Sequence, residues 1–361
     1  MNTVTRPEPE YNLEGSVRNA LRTLTPQAIL KFCTNRVQGQ DAELKKAVYM
    51  ICKYLERIAD GRLRSAENWM LTAPSGSGKT EFFRAVSELF RIHEIKVPVV
   101  RIDLSQITET GFKGENVSTI PQRILDANPD TDGTAICFLD EADKKFAPSF
   151  SHETNVNAAI QANLLTLIEG TELKVDTGDK EKKFNSGKTM FVFMGSFQDV
   201  RNEKQKRSRT SAVGFGASFE NSGSVTAADD KFHEELTMQD MIDYGMLEEL
   251  AGRITLLINF HKLSRDDMKR LIDCKVKEIS KECGFDIELT KQAEEKLVDV
   301  SYGSLGLRHP MNLIKNLSRN AVADVFFDNG FAYRRNKVVI TSLETAEIQS
   351  KKIIREEREN I

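Results

Sequence analysis

The run Ala73-Pro74-Ser75-Gly76-Ser77-Gly78-Lys79-Thr80 joins an apolar segment, NWMLT, to a helical one, EFFRAVSELF. Glycines in such a run let backbone N–H groups turn inward around an anion, and a helix start adds a favourable partial charge. Lys79 can reach β- and γ-phosphates, and Thr80 offers a hydroxyl to Mg²⁺. Ala73 stands where these loops usually begin with glycine. A second constellation, Ile136-Cys137-Phe138-Leu139-Asp140-Glu141, is an apolar strand that ends in two carboxylates. Adjacent acids can divide two tasks: Asp140 holds the metal, directly or through water, and Glu141 polarises an attacking water. Alone the acid pair is a weak signal. Downstream of a phosphate loop it implies hydrolysis of a nucleoside triphosphate.

Such residues must be positioned by a sheet. NWMLTA, VPVVRIDL, TAICFLDE, KTMFVFMGS and RITLLINF read as strands. Their continuous apolarity predicts cover on both faces. Helical segments between most of them predict a parallel sheet in an α/β layer. Upstream, Thr25 can cap a helix that has Pro26 at its first position. AELKKAVYMICKYLERIA forms a second helix that stops near Gly61. Residues 202–235, rich in Lys, Arg, Ser, Gly and Ala, read as a long exposed loop. After His261 helical periodicity prevails until VVITS, with Ser264 and Thr290 as helix starts. The expected organisation is an arm at 1–24, a large domain at 25–260, a small helical domain at 261–345 and a charged tail at 346–361.

The 361 residues carry 40% hydrophobic and 29% charged side chains and a net charge of −3. No global basic field points to nucleic acid, and the run KQKRSR reads as part of a solvated loop. No stretch approaches the ~20 apolar residues that span a bilayer. The polar N-terminus lacks the apolar core of a signal peptide, which suggests a cytoplasmic protein. The five cysteines form no CxxC pair, so a structural zinc site is not expected and the thiols are expected to be reduced. Cys137 fits a small core residue.

From Thr25 to Arg319 the chain resembles ClpX, the AAA+ unfoldase family. Val37-Gln38-Gly39-Gln40 is similar to the family's V-I-G-Q, and Leu164-Leu165-Thr166-Leu167-Ile168-Glu169-Gly170 to its L-L-K-L-I-E-G. Tyr244-Gly245-Met246, followed by Glu249-Leu250-Ala251-Gly252-Arg253, resembles F-G-L-I-P-E-F-I-G-R. The resemblance implies an AAA+ P-loop NTPase with a five-stranded parallel sheet in the large domain and a smaller, mostly helical C-terminal domain. It implies ATP and Mg²⁺ as cofactors, held by Pro74 to Thr80 and Asp140, with Val37 and Gln40 at the adenine. Arg253 would be an arginine finger acting on a neighbouring subunit, so the active form would be a ring, a hexamer in the family. Gly111-Phe112-Lys113-Gly114 resembles the G-Y-V-G loop that grips protein substrates in the pore, and SHETNVNAAIQ would be the second pore loop. Val213-Gly214-Phe215-Gly216 resembles the I-G-F-G loop that docks on the peptidase ClpP.

The chain departs from the family in places. No cysteine pairs mark the family's N-terminal zinc domain. Leu305 falls where the sensor-2 arginine is usual; Arg308, three residues on and on roughly the same helix face, either substitutes for it at the nucleotide or keeps its own family role, and the stretch after Gly170 lacks a clear R-K-H. Sensor-1 is expected at Ser196 or a neighbour. Three functions remain open: the ATPase of a ClpXP-like protease, a peptidase-independent remodelling ATPase, and a nucleotide-switched scaffold with slow hydrolysis.

Overall fold

The computed structural model describes residues 12–108, 116–151, 154–177, 181–204, 235–301, 308–329 and 336–350. It divides into two compact units, Met1–Lys262 and Leu263–Ile361. The first unit opens with α1 (Leu13–Ala20), whose N-cap Asn12 accepts from Gly15 N at 2.7 Å. Val17 and Ala20 are buried, Arg18 donates to Ala59 O at 2.8 Å, and Lys96 N donates to Ser16 Oγ. The arm expected at 1–24 is therefore folded from residue 13 onward. Leu13, Val17 and Ala20 form a short apolar stripe that packs on the large domain. The next helix, α2 (Pro26–Thr34), is capped as expected by Thr25, which accepts from Ala28 N. It is followed by α3 (Asp41–Ala59).

The nucleotide-loop segment follows as β1 (Asn68–Thr72) and α4 (Lys79–Ile92), then β2 (Val99–Asp103), α5 (Thr119–Ala127), β3 (Ala135–Asp140), α6 (Asp143–Phe146) and α7 (Val156–Ile168). The stretch after Gly170 folds as an antiparallel pair, β4 (Glu172–Asp176) with β5 (Glu181–Asn185), before β6 (Thr189–Gly195). Residues 198–204 are helical, so the start of the expected long loop is helix. After α8 (Met238–Tyr244) and α9 (Glu248–Ala251), β7 (Ile254–Asn259) completes the sheet.

That sheet has five parallel strands in the order β2-β3-β6-β1-β7. The five apolar runs are its strands, and their continuous apolarity has the expected cause. Trp69, Leu71, Ile136 and Phe138 face a core shared with α1 to α4, while Met70, Cys137, Leu139 and Phe193 face one shared with α5 and α7. In register, the carboxyl ends of the strands bring Asp103 beside Asp140 and Thr72 between Gly195 and Asn259. Open α/β sheets bind ligands at that edge.

The second unit has its own core around Ile272, Leu297, Ile314 and Val338. It contains α10 (Arg265–Cys283), β8 (Asp286–Leu289), α11 (Lys291–Val300), α12 (Arg308–Asn329), β9 (Asn336–Ile340) and β10 (Ala346–Ser350). Ser264 and Thr290 cap α10 and α11 as expected. The three strands form one sheet, β8 parallel and β10 antiparallel to β9. The expected tail thus begins as a strand, because the backbone of 346–350 completes hydrogen bonds along β9. Among the described residues, no helix is long and apolar enough to cross a membrane.

Candidate nucleotide site

The loop between β1 and α4 is held at both ends. Ala73 N donates to Gly195 O at 3.0 Å, and Ser77 donates to Pro74 O through both its amide and its hydroxyl, at 3.1 and 2.7 Å. Gly76 and Gly78 take φ of 82° and 103°. A Cβ on Gly78 would lie 2.7 Å from Val37 Cγ1, so backbone conformation and close approach both require glycine there. No side chain caps α4, which leaves its first N–H groups free to meet an anion. A triphosphate fits this cradle.

Lys79 sits in the first turn of α4, with Nζ 2.8 Å from Asp140 Oδ1 and 3.3 Å from Glu141 Oε1. Asp140 is 1% exposed at the end of β3. Its Oδ1 also accepts from Glu141 N, and its Oδ2 lies 2.9 Å from Arg101 Nε on β2. Glu141 has a left-handed φ of 56°, uncommon for a non-glycine residue and typical of functional sites. The structure thus joins Lys79, Asp140 and Glu141 in one cluster at the sheet edge. A carboxylate this buried, beside the start of α4 where Thr80 lies, suits a small hard cation. Arg101 was not anticipated. Its only signal is a charge between the apolar residues Val100 and Ile102 in the middle of a strand.

The segment around Val37 packs against the loop. Val37 is buried against Gly78. Gln40 is fully buried; its Nε2 donates to His261 O at 2.7 Å and its Oε1 accepts from His261 N at 2.9 Å. Both ends of the amide are engaged with backbone, so Gln40 braces the segment after β7. At the end of β6, Ser196 Oγ donates to Asp143 Oδ2, which also accepts from Phe197 N. Beside them, Arg201 donates to Thr72 Oγ1, which donates to Asn259 Oδ1. This buried polar chain ties β1 to β7.

Arg253 lies between α9 and β7, about half exposed. Its Nη2 is 2.7 Å from Glu169 Oε1 at the end of α7, so it is not joined to the Lys79–Asp140–Glu141 cluster. Gln161 holds the preceding segment: its Nε2 donates to Gly245 O and its Oε1 accepts from Leu247 N. The two motifs at 164–170 and 244–253 therefore form one patch.

The family model of the AAA domain (Cdc48 subfamily) matches residues 64–257, from just before β1 into β7. The chain belongs to the AAA family. It is similar to proteins named "ATP-dependent Clp protease ATP-binding subunit ClpX". The Treponema denticola protein is 24% identical over 79% of this chain and 74% of its own. The Bacteroides fragilis protein is 25% identical over 81% and 76%, and the Porphyromonas gingivalis protein 26% over 78% and 74%. The chain is a ClpX-like AAA+ ATPase.

In this AAA+ ATPase, several expected site residues lie outside the described residues: Phe112 and Lys113 of the pore loop, Val213, Gly214 and Phe215 of the docking loop, and Leu305. Arg308 begins α12, and its side chain is outside the description too. All five cysteines are free thiols; Cys33, Cys52 and Cys137 are buried. Burial pushes the Cys33 thiol up to about 12, which keeps it protonated and inert.

Proposed function

We propose that the protein binds Mg-ATP at the 73–80 loop and couples hydrolysis to the unfolding of protein substrates, working as a ring in the cytoplasm. The contact of Lys79 with both Asp140 and Glu141 at the open start of α4 carries this reading. Lys79 and the loop amides would hold the phosphates, Thr80 and Asp140 the metal, and Glu141 would orient the attacking water. When bound, Mg²⁺ would neutralise charge on the phosphates. Arg253 is exposed and separate from that cluster, which suits a residue that completes a neighbouring subunit's site. The ClpX name of the relatives supports delivery to a ClpP-type peptidase through Val213-Gly214-Phe215.

Sedimentation and steady-state ATPase assays of wild type and Glu141→Gln test the reading. Wild type should assemble with Mg-ATP and turn over. Glu141→Gln should bind ATP and assemble, yet lose about 10² or more in turnover. A wild-type chain that stays monomeric at saturating Mg-ATP, or a Glu141→Gln variant that hydrolyses normally, would refute it.

A further inference from the structure

We propose that Arg101 screens Asp140 from divalent cations until nucleotide arrives, so that metal enters this site only with ATP. The inference rests on the nucleotide site proposed above. The β2–β3 register places Arg101 beside Phe138, two residues before Asp140 and on the same face of the sheet. That is the face on which Phe138 meets Phe82 and Phe83 of α4. Arg101 Nε lies 2.9 Å from Asp140 Oδ2, while Lys79 Nζ lies 2.8 Å from Oδ1. Each oxygen of the carboxylate thus has its own cation, and the carboxylate itself is only 2% exposed. Asp103, the register neighbour of Asp140, accepts from Ser105 N in its own turn.

A buried carboxylate needs a counter-charge, and Arg101 and Lys79 together already balance Asp140 and its neighbour Glu141. A divalent ion at Asp140 would leave a net two positive charges among these groups within a few ångströms, a repulsive arrangement in a partly dry site. The guanidinium must therefore leave Oδ2 before a metal can take it. Arg101 is more than a third exposed, on a flexible stem, so it can move. A bound triphosphate supplies the anion to which it can turn, and guanidinium groups pair readily with phosphate oxygens. Lys79 is freed from Asp140 by the same exchange. The apo site is in this way closed to metal and the nucleotide-bound site open to it.

The test uses Mn²⁺ as probe and the full chain, with free Mn²⁺ read by electron paramagnetic resonance. Without nucleotide, Arg101→Gln is expected to bind Mn²⁺ about tenfold more tightly than wild type. Arg101→Met, which keeps an apolar stem, should do the same and guards against a folding defect in the first variant. The double variant Arg101→Gln/Asp140→Asn should lose the gain, which places the ion at Asp140. With a non-hydrolysable ATP analogue present, wild type and Arg101→Gln should converge. Equal Mn²⁺ affinity of wild type and both single variants without nucleotide would overturn the proposal. Binding of a fluorescent ATP analogue to wild type but not to Lys79→Ala checks the underlying site independently. If wild type fails to bind it, the nucleotide reading itself falls.

Discussion

Arg253 and Glu169 meet where both side chains are about half exposed, and an ion pair in that setting adds little to stability. Under the proposed function, the pair would hold the guanidinium ready for a neighbouring subunit's site. Arg253→Ala should therefore lower ATPase turnover by about 10³ or more, while the thermal midpoint stays unchanged. Wild-type turnover in that variant would exclude the finger role. Gly78 makes the opposite case, a residue defined by what it lacks. Gly78→Ala forces a side chain into left-handed backbone, at a cost of about 1 kcal/mol or more, and drives Cβ against Val37. Its affinity for a fluorescent ATP analogue should fall sharply. Adding Val37→Ala should restore part of it, because the clash is relieved and the backbone strain is not. The loop, its lysine and the two acids were legible in the sequence because their chemistry is written in a few adjacent residues. Arg101 and Gln161 were not, since nothing local marks the partner each one meets.

At the scale of elements, the sheet is fastened to its helices by a few buried polar groups. Tyr54, in the middle of α3, donates to Lys188 O at 2.7 Å and interacts with both N and O of Ala135, each at 2.9 Å. It thereby pins α3 to the starts of β3 and β6, and burial pushes its phenol far above the usual range. Tyr54→Phe preserves the packing but strands those backbone groups, so it should cost about 1–3 kcal/mol. A lowered urea midpoint with an unchanged slope is the expected measurement. The five strands and the longer helices were readable because burial on two faces leaves continuous apolar runs and helix starts carry caps. By contrast, α1 was read as part of an arm because it is short and follows a polar N-terminal stretch. The strand β10 was read as tail because polar edge residues carry little strand signal; its pairing with β9 is a property of the sheet.

For the whole molecule, the proposed motor needs copies of the chain around a channel, with Phe112 at the grip. Phe112→Ala should leave ATPase activity intact and stop the unfolding of a tagged, folded substrate, as followed by loss of its fluorescence. Unchanged unfolding would remove the pore role. If wild type unfolds the substrate but captures no ClpP-type peptidase with or without Phe215→Ala, peptidase-independent remodelling becomes the better account. The two units each have a separate core, at Trp69–Phe138 and Met70–Phe193 in the first and at Ile272–Ile314 in the second. The sequence placed their division within a few residues of Lys262, where strand-type runs give way to helical ones.

By itself the sequence determined that a phosphate loop follows a buried strand, that two carboxylates end another, and that a ClpX-like ATPase surrounds them. Those features are local: glycine freedom, apolar periodicity and capping act over a handful of neighbouring residues. The tertiary structure alone decided that Gln40 braces His261, that Arg253 rests on Glu169, and that Arg101 shares Asp140 with Lys79. Each of these joins groups from different parts of the chain. Which polar atoms meet is fixed only when the sheet register and the helix packing bring them within hydrogen-bonding distance.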